Sequence, residues 1–225
     1  MSGENCIYSL TNIFTCKSGY LLDDAQEGCI FNIDCETVGY DCDTDEEVTI
    51  SKSRFILINS SHGGVLYSWN DLLDMEASTE PYMELFDVES NELSPVAFEA
   101  IDSPYDHFYP DDITQLFIID RIEILPEYRG KNYAQTIIFD VLRKFAASSQ
   151  LIAVKPFPLQ FEIPFYESTR ASQEEKDWHK KLGLEKITND EGLAFQRLGD
   201  YYKKLGFVDA GTGNGIFIME NLGVY

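Results

Sequence analysis

The sequence predicts an α/β (α+β) protein, a sheet flanked by helices, and three stretches carry that reading. Residues 114–125 hold the run Leu116-Phe117-Ile118-Ile119 and then Ile122 and Ile124, the pattern of a buried strand. A short loop later, apolar residues fall at Ala134, Ile137, Ile138, Val141, Leu142 and Phe145, one face of a helix over 132–147. Near the end, two strand-like runs at 207–210 and 216–220 flank Asn214-Gly215, a hairpin signal.

The remaining elements follow in order. Residues 1–45 are acidic with brief apolar patches, which predicts short strands and loops in an N-terminal extension packed on a main domain of 46–225. A strand over 48–59 contains Phe55-Ile56-Leu57-Ile58, and Ser60 to Gly64 punctuate a loop. Helices are expected over 66–77 and 80–100, with Pro81 and Pro95 at starts or breaks, then a Pro- and Tyr-rich loop over 103–110 containing His107. A strand at 151–154 stops before Pro156 and Pro158. The stretch 161–192 is longer than such a connection needs. It carries a helix over 172–182 that Ser172 and Glu175 open as a capping box. That insertion, with Trp178 and His179, reads either as a lid or as a cover for exposed core. The last helix, 194–205, places Ala194, Leu198, Tyr201, Tyr202 and Leu205 on one face before Gly206.

Composition narrows the function classes. Of 225 residues, 44% are hydrophobic and 13% aromatic, enough for a sizeable core. No apolar run approaches the ~20 residues of a membrane helix, and the N-terminus lacks a basic, apolar leader, so a cytoplasmic protein with no membrane partner is expected. Cys6, Cys16, Cys29, Cys35 and Cys42 lie in the first 45 residues without Cys-x-x-Cys spacing or a neighbouring His. They are read as free thiols packed as small apolar groups, with no metal. Residues 1–112 carry 24 acidic and 3 basic side chains, whereas 113–225 carry 15 and 14. Acidity so placed disfavours a nucleic-acid binder and suits a cationic partner, though it also serves solubility alone.

The chemistry is expected at 122–134, where a strand leads through Arg129, Gly130 and Lys131 into the amphipathic helix. Unpartnered N–H groups and the positive end of the macrodipole make a helix start a site for phosphates, and two cations add attraction. An ordinary strand-to-helix connection with solvated cations fits the same residues. Leu125-Pro126-Glu127-Tyr128-Arg129-Gly130-Lys131-Asn132-Tyr133-Ala134 resembles the acetyl-CoA signature of the GNAT N-acetyltransferases: Arg or Gln, two residues, Gly, one residue, Gly or Ala. Arg129 and Ala134 match. Asn132 stands in place of Gly, and Asn tolerates left-handed backbone angles better than most residues. Tyr201-Tyr202-Lys203-Lys204-Leu205-Gly206-Phe207 resembles the Tyr-x-x-Leu-Gly-Phe that ends the last helix of that family.

The resemblance, over residues 113–221, implies a mixed, mostly antiparallel central sheet and acetyl-CoA as cosubstrate. The pantetheine arm would pair with the backbone of Ile122, Glu123 and Ile124. The pyrophosphate would meet the amides from Arg129 through Gly130, Lys131, Asn132 and Tyr133 to Ala134. It further implies direct transfer of acetyl to an amine, with Tyr202 as proton donor to the departing thiolate; Tyr202 also fits a core aromatic. For the base, Glu123 is preferred over Asp120 and Glu162, with strand alternation putting Asp120 on the side of Ile122 and Ile124 and Glu123 on the other. The acceptor would be a cationic small molecule or a lysine-bearing protein. A second reading is a GNAT-like acyl-CoA-binding module without transfer activity, and a third makes the acidic half an interaction surface. Gly211-Thr212-Gly213-Asn214-Gly215 is read as a turn, because no helix follows to receive a phosphate.

Overall fold

The structure, a computed structural model, describes residues 7–18, 27–42, 44–101, 109, 113–162 and 171–221. Cys6 and all of the 103–110 loop except Tyr109 lie outside them. In chain order the elements are β1 (Ile7–Ser18), β2 (Ile30–Asp41), β3 (Glu47–Asn59), a small hairpin of β4 (Ser61–His62) and β5 (Val65–Leu66), α1 (Trp69–Leu73), α2 (Pro95–Ile101), β6 (Gln115–Ile124), α3 (Tyr133–Phe145), β7 (Leu151–Val154), α4 (Gln173–Lys181), α5 (Glu191–Lys204), β8 (Val208–Asp209) and β9 (Phe217–Glu220). Seven strands form one sheet in the order β1-β2-β3-β6-β7-β9-β8. Every neighbouring pair is antiparallel except β6 and β7, which run parallel on either side of α3. The fold is therefore a mixed, mostly antiparallel sheet with helices on both faces.

Side-chain alternation divides the core. Ile56, Ile58, Leu116 and Ile118 pack on one face under α1, α2 and the 3-10 turn Glu80–Leu85. Phe55, Phe117, Ile119 and Val154 pack on the other under α3 and α5. A third cluster seats α4 through Leu182 and Trp178 against Ile50, Leu125 and Tyr128.

Several expectations are corrected. Residues 1–45 supply two 12-residue strands of the sheet itself rather than short strands in a packed extension. Cys42 is disulfide-bonded, against the expected free thiol, while Cys16, Cys29 and Cys35 stay in the thiol form. The helix at 66–77 is cut to five residues. Thr79 Oγ1 donates to Leu73 O at 2.7 Å and contacts Glu76 O at 2.9 Å, an alternative partner that ends the α-helical ladder. The expected helix over 80–100 is broken where Asp87 Oδ1 accepts from the amides of Glu89 and Ser90 and where Asn91 turns left-handed (φ 60°); α2 starts only at Pro95. In the second half, β6, α3, β7, the Ser172 capping box, α5 and the β8–β9 hairpin lie where the sequence predicts, within a few residues. No helix among the described residues is long and apolar enough to cross a membrane.

Candidate functional site

β6 has two halves. Leu116 to Ile119 pair with β3 on one edge and with Leu151–Val154 on the other. Beyond Ile119 the strands part: β7 ends at Val154 before Pro156 and Pro158, and β6 continues to Ile124 with β3 as its only partner among the described residues. The register slips there, Arg54 opposing Arg121 and Phe55 opposing Ile119, so Asp120 is the extra residue of a β-bulge. A bulge reverses the facing of all that follows. Asp120 pairs with Arg54 on the α1–α2 face, whereas Ile122 packs with the α3–α5 cluster. The two do not share a side, as unbroken alternation would require.

Leu125 N–H donates to Ile50 O at 3.0 Å on the β3 side. Alternation then turns the peptide groups of Ile122 and Ile124 to the vacant edge. Arg129 closes the end of that edge. Its Nε donates to Ile124 O at 2.9 Å and its Nη2 to Leu182 O at 2.6 Å, so the guanidinium ties the loop to the end of α4 and does not point at the helix start as expected. Burial lowers its pKa, with Glu127 opposing.

The loop then enters α3 through two left-handed residues, Gly130 (φ 74°) and Asn132 (φ 62°). Asn132 thus holds the conformation for which Gly is otherwise used, and its side chain does not cap the helix. The amides of Tyr133, Ala134 and Gln135 have no hydrogen-bond partner among the described residues. Open edge and helix start belong to one cavity of about 920 Å³. Ile122, Ile124, Arg129, Gly130, Ala134 and Tyr202, all anticipated, line it. Glu123, Lys131, Asn132 and Tyr133 do not; the Tyr133 ring meets Tyr128 edge-on at 6.2 Å. On the α3–α5 face the wall is α5, with Ala194, Leu198 and Tyr201 beside Tyr202. On the opposite face the cavity reaches Ser78, just before the turn that carries Tyr82, so the slot passes through the sheet where the strands part.

The polar groups sort clearly. Arg121 makes a two-pronged ion pair with Glu162, 2.6 Å at each prong, and its Nε meets Glu123 Oε1 at 2.5 Å. Burial pulls the Arg121 pKa down, but those two carboxylates outweigh it and the net shift is upward. The other oxygen of Glu123 accepts from Trp178 Nε1 of α4 at 2.6 Å. Glu123 therefore stands off the cavity with both oxygens occupied. Asp120 and Glu162 are the carboxylates on the cavity wall, and Asp120 Oδ1 has no hydrogen bond among the described residues. Tyr202 is almost fully buried, edge-on to Phe207 at 5.6 Å, and burial raises its pKa, with Tyr201 adding. Tyr82 sits within electrostatic reach of Asp120 and Tyr202, and its hydroxyl accepts from Lys155 N–H at 2.8 Å, which gathers these groups at the vertex. Sequence reasoning missed Tyr82 and Arg121. Tyr82 comes from the first half of the chain, and only tertiary packing brings it there. The α4 segment is bound to the sheet by Trp178, by Lys52 to Glu174 at 3.1 Å and by Arg129, which makes it a cover.

No family model, curated protein or solved structure matches the chain.

Proposed function

We propose that the protein is an acetyl-CoA-dependent N-acetyltransferase of the GNAT type. The observation that carries this is the continuity, in one cavity, of a strand edge that no described strand pairs with and the α3 amides that have no partner among the described residues. An extended chain of amides completes such an edge as an added strand. A diphosphate suits the helix start. Pantetheine pyrophosphate has both parts in that order, and Arg129, Gly130, Ala134, Tyr201 and Tyr202 of the two motifs line the slot.

Transfer requires a neutral amine nitrogen to attack the thioester carbon, the C–S bond to break and the amine proton to leave. The sulfur takes the bond's electron pair. The free oxygen of Asp120 makes it the acceptor of that proton in place of Glu123, which holds Arg121 in position. An ordinary thiol has a pKa of about 8.5, so a tyrosine raised above 10 by burial does not surrender its proton to a thiolate. Tyr202 acts as a hydrogen-bond donor to the leaving sulfur. The acceptor is a cationic amine, small or on a protein, entering by the α1–α2 face. The exposed Asp74 and Glu80 flank Ser78 there, in the strongly acidic half of the chain.

One observation favours the non-catalytic reading: Asp120, Glu123 and Glu162 are all ion-paired to arginine. Calorimetry with acetyl-CoA, followed by an assay of acetyl transfer over a panel of amines, decides. Binding with transfer supports the enzyme, binding without transfer the module, and no uptake at millimolar concentration removes both.

A further inference from the structure

Three buried side-chain polar atoms among the described residues have no hydrogen-bond partner: Ser149 Oγ, Tyr201 Oη and Thr212 Oγ1. Of the three residues only Tyr201 lines the slot. Its ring lies 5.4 Å from that of Tyr202, which ties it to the vertex where β6 and β7 part. A hydroxyl buried without a partner is unfavourable and native proteins keep few of them, so one on a cavity wall marks a place that a ligand or a water completes. Burial pushes its pKa up to about 12, so it holds its proton at neutral pH and is able to donate a hydrogen bond.

We propose that Tyr201 Oη donates to the carbonyl oxygen of the thioester, a specificity contact that rests on the acetyl-CoA reading above. Near the scissile bond a thioester offers a carbonyl oxygen, a strong acceptor, and a sulfur, a weak one. Two adjacent tyrosines at the vertex divide the work. Tyr201 holds the oxygen that becomes negative when the amine nitrogen bonds to the carbonyl carbon, and Tyr202 meets the sulfur that leaves with the C–S electron pair. Tyr201 keeps its proton throughout. Its bond strengthens as charge develops on the oxygen, so it favours the tetrahedral intermediate over the bound thioester.

Tyr201→Phe separates this from a packing role. Without ligand, the variant melts at a higher temperature than wild type, because an unsatisfied group has gone. Calorimetry then shows acetyl-CoA binding about tenfold more weakly while CoA, which lacks the carbonyl, binds within twofold of wild type. Equal weakening for both ligands, no weakening for either, or a lower melting temperature without ligand overturns the assignment. Wild-type protein that takes up neither ligand overturns the acyl-CoA reading itself. Wild-type binding of both, with a variant indistinguishable from it, removes Tyr201 alone.

Discussion

The two halves of β6 differ in everything but their chain. Leu116 to Ile119 are apolar, at most 1% exposed and paired on both edges. Asp120 to Ile124 are bulged, carry three charged residues and, among the described residues, pair on one edge only. The first half is a structural element whose neighbours satisfy it completely. In the second, pairing capacity is left over, and that remainder is the candidate site. Function here is legible as what the fold leaves unsatisfied among the described residues: the Ile122 peptide group and the Ile124 N–H, the first amides of α3 and one tyrosine hydroxyl.

Substitution should break the two halves in different ways. Ile118→Ala removes a fully buried side chain from the doubly paired half, and a loss of about 2–5 kcal/mol in denaturant unfolding is expected, with acetyl-CoA affinity nearly unchanged. Ile122→Ala, in the partly buried half, should cost under about 1.5 kcal/mol yet weaken binding. If both variants lose stability equally, the division within β6 has no energetic content.

A smaller effect isolates the helix start. Ala134→Asp places a carboxylate in the first turn of α3, where it suits the macrodipole and should leave the melting temperature unchanged or raised. The same charge faces the cavity and opposes phosphate by about 2 kcal/mol, some thirtyfold in Kd. Unaltered acetyl-CoA affinity would place the diphosphate elsewhere. Below this in size comes Tyr202→Phe, which deletes one hydrogen bond from a neutral donor to the leaving sulfur: a fall in turnover of about tenfold with KM little changed. Equal turnover removes Tyr202 from the reaction.

The closed half of β6 and the helix after it were legible because burial on every side writes itself as an apolar run or a 3.6-residue period. The helix start was legible through Arg129, Asn132 and Ala134, although the sequence could not tell that Arg129 spends its guanidinium on two carbonyls. The bulge at Asp120 was invisible, since it arises from a register between β3 and β6 that no local pattern encodes, and the side assignments for Asp120 and Ile122 failed with it. β2 is a different miss. Ile33, Cys35 and Thr37 alternate with Asn32, Asp34 and Glu36, a period of two that its acidic residues obscured.

The smallest expected effect concerns the cover over the charged half. His179 of α4 lies close to the Arg121–Glu123–Glu162 network. Burial lowers its pKa and Arg121 adds to this, while Glu123, Glu162 and Glu185 pull the other way without prevailing. A histidine whose pKa in the folded protein lies below its ordinary value of about 6.5 binds its proton more tightly when unfolded. Its contribution to stability is therefore full above that pH and declines as pH falls toward the lower folded value. His179→Gln should flatten the fall in unfolding free energy between about pH 7 and 5, measured in denaturant at matched ionic strength. A slope identical to wild type would mean that α4 lies over the network without sensing protons, held to the open half of β6 through Trp178 and Arg129 and to β3 through Lys52.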